Sequence, residues 1–346
     1  MNLGRNLSAA VVAAISLVLM GAAQAQTAGS SLAPETAPEP TPPAPQLLAK
    51  DIWLIPGAIL DNRQPDGNTV VFRGAAGLVV LDTGRHRWHR QAILDLARSE
   101  AVPIVAIVNS HWHLDHVSGN PDLKRAYPAA KVYASDAIDG ALAGFLRDSA
   151  VGAREYLKSA GLPPEVAEDI RNDLVTTENA SSIRPDIVVK QSGALTLAGR
   201  PMDARLSVNG PTAGDLWIYD PATRIAAVGD LVTLPVPFLD TACVSGWKAA
   251  LAEVWMTPFE MLIPGHGRPM TRIEFDQYRT AFDAFIACAS SSRDPAECAA
   301  AWVQDADSLL LVNGMNGKRA AAMAAYYVGD VLRPNGGNSE SCAIGQ

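Results

Sequence analysis

From about residue 50 the chain alternates short apolar runs with turn-forming residues, the pattern of strands buried on one or both faces. Residues 69–73 and 77–81 read as strands, the second running out into Asp82-Thr83-Gly84. The apolar spacing then becomes that of a helix over residues 87–99 and returns to a continuous apolar strand at 104–108, with another at 131–134. Residues 136–178 are helical in pattern, with breaks expected at Gly152 and at Gly161-Leu162-Pro163-Pro164. A second strand-rich half holds 187–189, 195–197, 204–208, 216–219 and 225–228. Helical patterns return near 246–256 and dominate after 272. Two strand-rich halves with interspersed helices predict an α/β molecule of two sheets packed face to face with helices outside. No fixed short repeat is visible, which argues against solenoids and propellers.

With 346 residues, 48% hydrophobic and 18% charged, the chain is globular and long enough to bury a large core. Its net charge of -8 argues against nucleic acid as the main partner, which would need a basic surface. Arg5, an apolar run over 9–20 and Ala23-Gln24-Ala25 describe a secretory signal peptide, residues 1–25. The apolar run falls short of the roughly 20 residues of a membrane span, so a periplasmic or secreted product with no stable span after cleavage is expected. Residues 26–46 are rich in Pro and Ala and read as an extended linker. The folded domain is then 47–346, with a helical insert at 136–178 and C-terminal helices over 272–332. An even count of four cysteines in an exported chain suggests disulfides. Cys288 and Cys298 form the natural short-loop pair, leaving Cys243 with Cys342, although other pairings stay open.

The chemistry concentrates directly after the strand at 104–108, in His111-Trp112-His113-Leu114-Asp115-His116. Half of the chain's six histidines fall in this run. Imidazole nitrogens and carboxylate oxygens are the usual ligands of zinc and related divalent ions, so the run predicts a metal site. Two further candidate ligands follow apolar runs downstream: Asp230 after Ala226-Ala227-Val228-Gly229, and His266 between Gly265 and Gly267. Strand ends are rigid supports that can bring such distant residues to one ion. His86 and His89, flanked by Arg85, Arg87 and Arg90, read instead as solvated residues at a helix start. Trp112 and Trp217 read as packing residues.

These landmarks resemble the metallo-β-lactamase-fold hydrolases. Leu81-Asp82-Thr83-Gly84, the run at 111–116, Gly214-Asp215-Leu216, Gly229-Asp230 and Pro264-Gly265-His266-Gly267 occur in that family's order. The resemblance implies an αββα sandwich with one or two zinc ions where the sheets meet. It implies His111 and His113 as ligands of a first metal, Asp115, His116 and His266 as ligands of a second, and Asp230 bridging both. Asp82 would support the site's loops. An aspartate at the bridging position is similar to the glyoxalase II-like, general hydrolase branch rather than to dedicated β-lactamases.

One departure stands out. The family's third histidine for the first metal would fall where this chain has Pro211, which carries no ligand atom. The expectation is therefore an unequal site, with the second position filled preferentially and Asn209 a poor substitute on the first. The implied activity is hydrolysis of a small-molecule ester, thioester, amide or lactam by metal-activated hydroxide, with Asp115 placing the water or sharing its proton. The alternatives are a non-catalytic binding or accessory protein that retains the fold, or an iron enzyme of oxygen chemistry. Oligomeric state is left open.

Overall fold

The computed structural model describes residues 40–345, so the expected signal peptide and most of the expected linker lie outside the described residues. Seven strands form the first sheet in chain order: β1 (Gln46–Ala49), β2 (Ile52–Ile55), β3 (Thr69–Gly74), β4 (Gly77–Leu81), β5 (Ile104–Val108), β6 (Lys131–Ala134) and β7 (Ile187–Val188). Pairing is antiparallel from β1 to β4 and parallel from β4 to β7. The second sheet holds β8 (Gly193–Leu197), β9 (Arg200–Val208), β10 (Gly214–Asp220), β11 (Ile225–Thr233) and β12 (Met261–His266), in the order β12-β11-β10-β9-β8. Its β11–β12 pair is parallel and the rest antiparallel.

Strand alternation explains the layers. Val70, Phe72, Val79, Leu81, Ala106 and Val108 face inward and pack on Met202, Ala204, Leu216, Ile218, Ala227 and Ile263 of the second sheet. Their neighbours Val71, Leu78, Val80 and Ile107 face outward and are covered by Ala92, Ile93 and Leu96 of α1 (Arg87–Ser99). Strands covered on both faces lose the polar half of the alternation, which is why β4 and β5 read as unbroken apolar runs. On the far side, Trp217, Val228 and Leu262 pack on Trp247, Phe275, Tyr278 and Phe282 of the C-terminal helices. The result is an αββα sandwich.

Two short helices, α2 (Leu114–Val117) and α3 (Asn120–Ala126), follow β5, and three more join β6 to β7: α4 (Ala137–Ala143), α5 (Phe145–Tyr156) and α6 (Pro164–Glu178). The expected break at 161–164 is present, with Gly161 at φ +76 and Pro163 capping α6. The expected break at Gly152 is not: that residue lies inside α5, and the chain turns at Gly144 instead. A single helical glycine costs only about 1 kcal/mol relative to alanine, which the seating of Leu146 and Ala150 of the same helix outweighs.

The C-terminal half adds α7 (Val244–Met256), α8 (Arg272–Ala289), α9 (Pro295–Asp305), α10 (Asp307–Val312), α11 (Gly317–Tyr326) and a π-helical turn at Tyr327–Leu332. A Thr271–Glu274 capping box opens α8. Disulfides join Cys288 to Cys298 and Cys243 to Cys342, the pairing expected from spacing. No described helix is long and apolar enough to cross a membrane.

Candidate metal centre

The end of β5 delivers Ser110 and His111, and the chain passes through His113 into α2, whose first turn carries Asp115 and His116. Asp230 comes from the middle of β11, and His266 is the last residue of β12. All six side chains are buried. They form two groups, His111–His113–Asp230 and Asp115–His116–His266, each with one donor atom per residue and all three atoms within 4.8 Å of one another.

Asp230 stands between the groups and turns one oxygen to each. Its Oδ2 lies 3.6 Å from His111 Nε2 and 4.0 Å from His113 Nδ1. Its Oδ1 lies 3.2 Å from His116 Nε2 and 3.6 Å from His266 Nε2. Asp115 Oδ2 completes the second group, 3.0 Å from His266 Nε2 and 3.6 Å from His116 Nε2. Gly265 makes the bridging position possible, because a Cβ there would meet Asp230 Oδ1 at 1.9 Å. The loop before β3 holds both ends of the second group. Gly67 N–H donates to the Asp115 carbonyl, and the Asn68 amide donates to the carbonyls of Pro264 and Gly267 on either side of His266.

Donor counting assigns the imidazole tautomers. Ser110 has a single hydroxyl proton, which it gives to Asp82 Oδ2 at 2.7 Å, so His111 Nδ1 must donate to Ser110 Oγ at 2.9 Å. Asp82 can only accept, so His116 Nδ1 donates to it at 2.8 Å. Thr241 gives its hydroxyl proton to the Pro211 carbonyl at 2.8 Å, so His113 Nε2 donates to Thr241 at 3.1 Å. In each ring the second nitrogen is left as a lone pair on the Asp230 side. His111 Nε2, His116 Nε2 and Asp230 Oδ1 are buried without a hydrogen-bond partner. Buried acceptors converging without donors are costly unless a cation satisfies them, and imidazoles held by carboxylate or hydroxyl partners are how metal ligands are oriented. The donor set of nitrogen and carboxylate oxygen fits zinc.

The electrostatics agree. Burial pushes His111 well below its ordinary value, and the neighbouring His116 and His113 add to this, so the ring is neutral. Burial alone would raise Asp115 and Asp230, but His116 and His266 hold both carboxylates below the usual range, with Arg85 also acting on Asp115 and His111 on Asp230. His116 moves up despite its burial, because Asp230, Asp115 and Asp82 surround it. The same three carboxylates would favour a cation at that position. Asp215 is pushed up to about 7 by burial, which its bonds from Thr212 only partly offset.

His86 and His89 depart from the sequence expectation: both are buried rather than solvated, at 5% and 1% exposure. His89 Nε2 bonds Thr69 Oγ1, and His86 lies between Asp66 (2.8 Å) and Asp169 of α6 (3.2 Å). With both engaged elsewhere, neither joins the two ligand groups. The same cluster anchors the insert helix α6. Arg63 reaches Asp169 at 2.7 Å, and Arg85 pairs with Asp173 while standing 3.8 Å from Asp115 Oδ1. Trp112 packs on Phe145 of α5, and Trp217 lies in the core, both as expected.

Sequence reasoning did not single out Ser110, Thr241, Asn68 or Asp66. Ser110 carried a signal, a hydroxyl immediately before the first histidine of the run. Thr241 carried none, since it sits 128 residues from the ring it holds.

The family model for the metallo-beta-lactamase superfamily matches residues 63–266. An (R)-specific secondary-alkylsulfatase from Pseudomonas sp. is 27% identical over 228 residues, which is 59% of this chain and 34% of that protein. A hydroxyacylglutathione hydrolase from Synechococcus sp. (strain WH7803) is 30% identical over 78 residues, covering 22% of this chain and 30% of that protein. The chain thus spans about a third of the length of these curated relatives. Among solved structures, a stereoselective inverting sec-alkylsulfatase from Pseudomonas sp. superposes with a TM-score of 0.56 at 19% identity, over 75% of this chain and 45% of that one.

Proposed function

The chain belongs to the metallo-beta-lactamase superfamily, and on that premise we propose that it is an exported, metal-dependent hydrolase of a small ester-like molecule. The observation that carries this reading is the pair of ligand groups sharing Asp230, with the imidazole lone pairs directed at the centre. His111, His113 and Asp230 would hold a first zinc ion, and Asp115, His116, His266 and Asp230 a second. Bound there, zinc lowers the pKa of water and polarises the bond to be cleaved. Asp115 is ionised beside His266 and can accept a hydrogen bond from the attacking water and so position it. Arg85, tied to Asp173, keeps Asp115 in place and links it to the insert, which forms one wall of the site. Trp112 and Phe238 flank the ring of His113 on the other side.

The two groups are unequal. The second has two imidazoles and a carboxylate of its own besides the shared Asp230, whereas the first has two imidazoles and no third because residue 211 is proline. The second position therefore fills first. Export is supported by the two disulfides, which persist in oxidising compartments, and by the N-terminal pattern of residues 1–25.

Carboxylic esters, thioesters, amides and lactams are the proposed substrate class, and the resemblance to a secondary-alkylsulfatase adds sulfate esters to the compounds to assay. The test is elemental analysis of purified protein combined with hydrolysis of a thioester, a lactone, a secondary alkyl sulfate, a phosphodiester and a chromogenic cephalosporin. Zinc content with turnover of at least one, lost on chelation, is expected. Full loading with no turnover on any would instead favour the non-catalytic alternative, the reading that Pro211 recommends.

A further inference from the structure

The first ligand group has two imidazoles and no third, yet the ring of His113, like those of His111 and His116, is hydrogen-bonded through its other nitrogen. What holds it is a strap of chain at 238–243. Thr241 is buried, and its hydroxyl has a single proton, given to the carbonyl of Pro211 at 2.8 Å. Only lone pairs remain to face His113 Nε2 at 3.1 Å. Phe238 packs edge-on against the same ring, with centroids 4.9 Å apart.

The strap is fastened by the C-terminal segment. Cys243 is disulfide-bonded to Cys342, Ser339 N–H donates to the Ala242 carbonyl, and the Tyr326 hydroxyl donates to Asp240 Oδ1. Cys243 N–H also donates to the Gly210 carbonyl, which ties the strap to the turn that carries Pro211.

We propose that Thr241 is the positioning residue of His113: the residue standing where an imidazole would be contributes its backbone carbonyl instead, which takes the Thr241 hydroxyl proton and leaves that hydroxyl as the acceptor that sets the tautomer of the ring. This rests on the reading of His113 as a metal ligand. Without the hydroxyl, Asp230 Oδ2, 4.0 Å from Nδ1, remains to draw the ring proton. The proton would then move to Nδ1, the atom that the metal needs as a lone pair. Removing one hydroxyl should therefore weaken the first half-site and spare the second, whose imidazole His116 is set by Asp82.

The experiment compares the full-length metal-free protein with Thr241→Val and Thr241→Ser. Imidazole nitrogen shifts are read by NMR with isotopically labelled histidine, and zinc is titrated against a competing chelator. Wild type and Thr241→Ser should show His113 protonated on Nε2 and bind a tight and a weaker zinc alike. Thr241→Val should lose that signature and bind the weaker zinc about 10- to 100-fold less tightly, with the tight one unchanged. His113 protonated on Nδ1 in the wild type overturns the proposal, whatever the variants do. So does a Thr241→Val protein whose tautomer and weaker affinity match wild type, or one that loses both ions equally. A wild type with the Nε2 proton that binds no zinc contradicts the metal-centre reading instead and leaves the tautomer assignment standing.

Discussion

Replacing Asp82 with asparagine changes one atom and should disable two imidazoles. Asp82 is buried and accepts three bonds: Ser110 N–H at 2.7 Å on Oδ1, and Ser110 Oγ at 2.7 Å and His116 Nδ1 at 2.8 Å on Oδ2. Asparagine can keep its oxygen on the Ser110 N–H only by turning its NH2 toward Ser110 Oγ and His116 Nδ1. Two donors then face each other unless His116 moves its proton to Nε2, and the Ser110 hydroxyl, now an acceptor from the amide, turns its proton toward His111. The opposite amide orientation sets NH2 against the Ser110 N–H. The backbone offers no confounding effect, because Asp82 sits at φ +62, a region asparagine tolerates well.

Misdirected imidazoles of this kind typically cost about 10- to 100-fold in metal affinity, or roughly 1.4–2.7 kcal/mol. Fold stability of the metal-free protein should fall by only about 1–2 kcal/mol, since most of the bonds are re-formed in the other sense. Chelator-competition titration measures the first quantity and urea unfolding of metal-free protein the second. An Asp82→Asn protein that binds zinc as tightly as wild type would refute the tautomer reasoning.

His86 should make the insert's anchorage pH-dependent. Its folded pKa is raised above 6.5 because, despite burial, Asp169 and Asp66 stabilise the charged ring. Its contribution is therefore complete below the unfolded value and lost as pH rises through the folded one. Burial would raise Asp66 and Asp169, but pairing with His86 holds both below 3.8, so their contribution is present above that value and lost as pH falls through the folded ones. His86→Ala should cost about 3–5 kcal/mol near pH 6 and less at pH 9, as read by urea unfolding. Equal losses at both pH values would rule this out. Gly265→Ala should abolish zinc binding or folding, because its Cβ would lie 1.9 Å from Asp230 Oδ1 and 2.8 Å from the Asp230 backbone nitrogen. Normal zinc content in a folded G265A protein would refute the close-approach account. Loop closure predicts that losing Cys243–Cys342, which spans 99 residues, destabilises by about 5 kcal/mol against about 3 kcal/mol for Cys288–Cys298, which spans 10. Unfolding of the two double-serine variants checks the order.

The parts of this molecule that depend on short-range pattern were legible from the chain alone. Helix α1 spans Arg87–Ser99, as its apolar spacing predicts, and β4 and β5 show themselves as apolar runs because both their faces are covered. The run at 111–116 was readable because one strand end and one helical turn place four of the six candidate ligands. Partners distant in sequence were harder to see. His86 and His89 look solvated beside three arginines, yet what buries them is Asp66 and Thr69 on an earlier loop and strand and Asp169 on the insert, contacts with no local trace. Gly152 looked like a break because glycine is a poor helix former, whereas the packing of α5 decides the matter. Thr241 lies on an irregular strap, where no periodicity marks the one hydroxyl that counts.

The most direct test of the unequal metal centre is an anomalous-scattering crystal structure of protein purified without added metal. The account predicts a zinc peak among Asp115, His116, His266 and Asp230, with a weaker peak or none beside His111 and His113. Two equally occupied positions, or no metal among these six side chains, would contradict it.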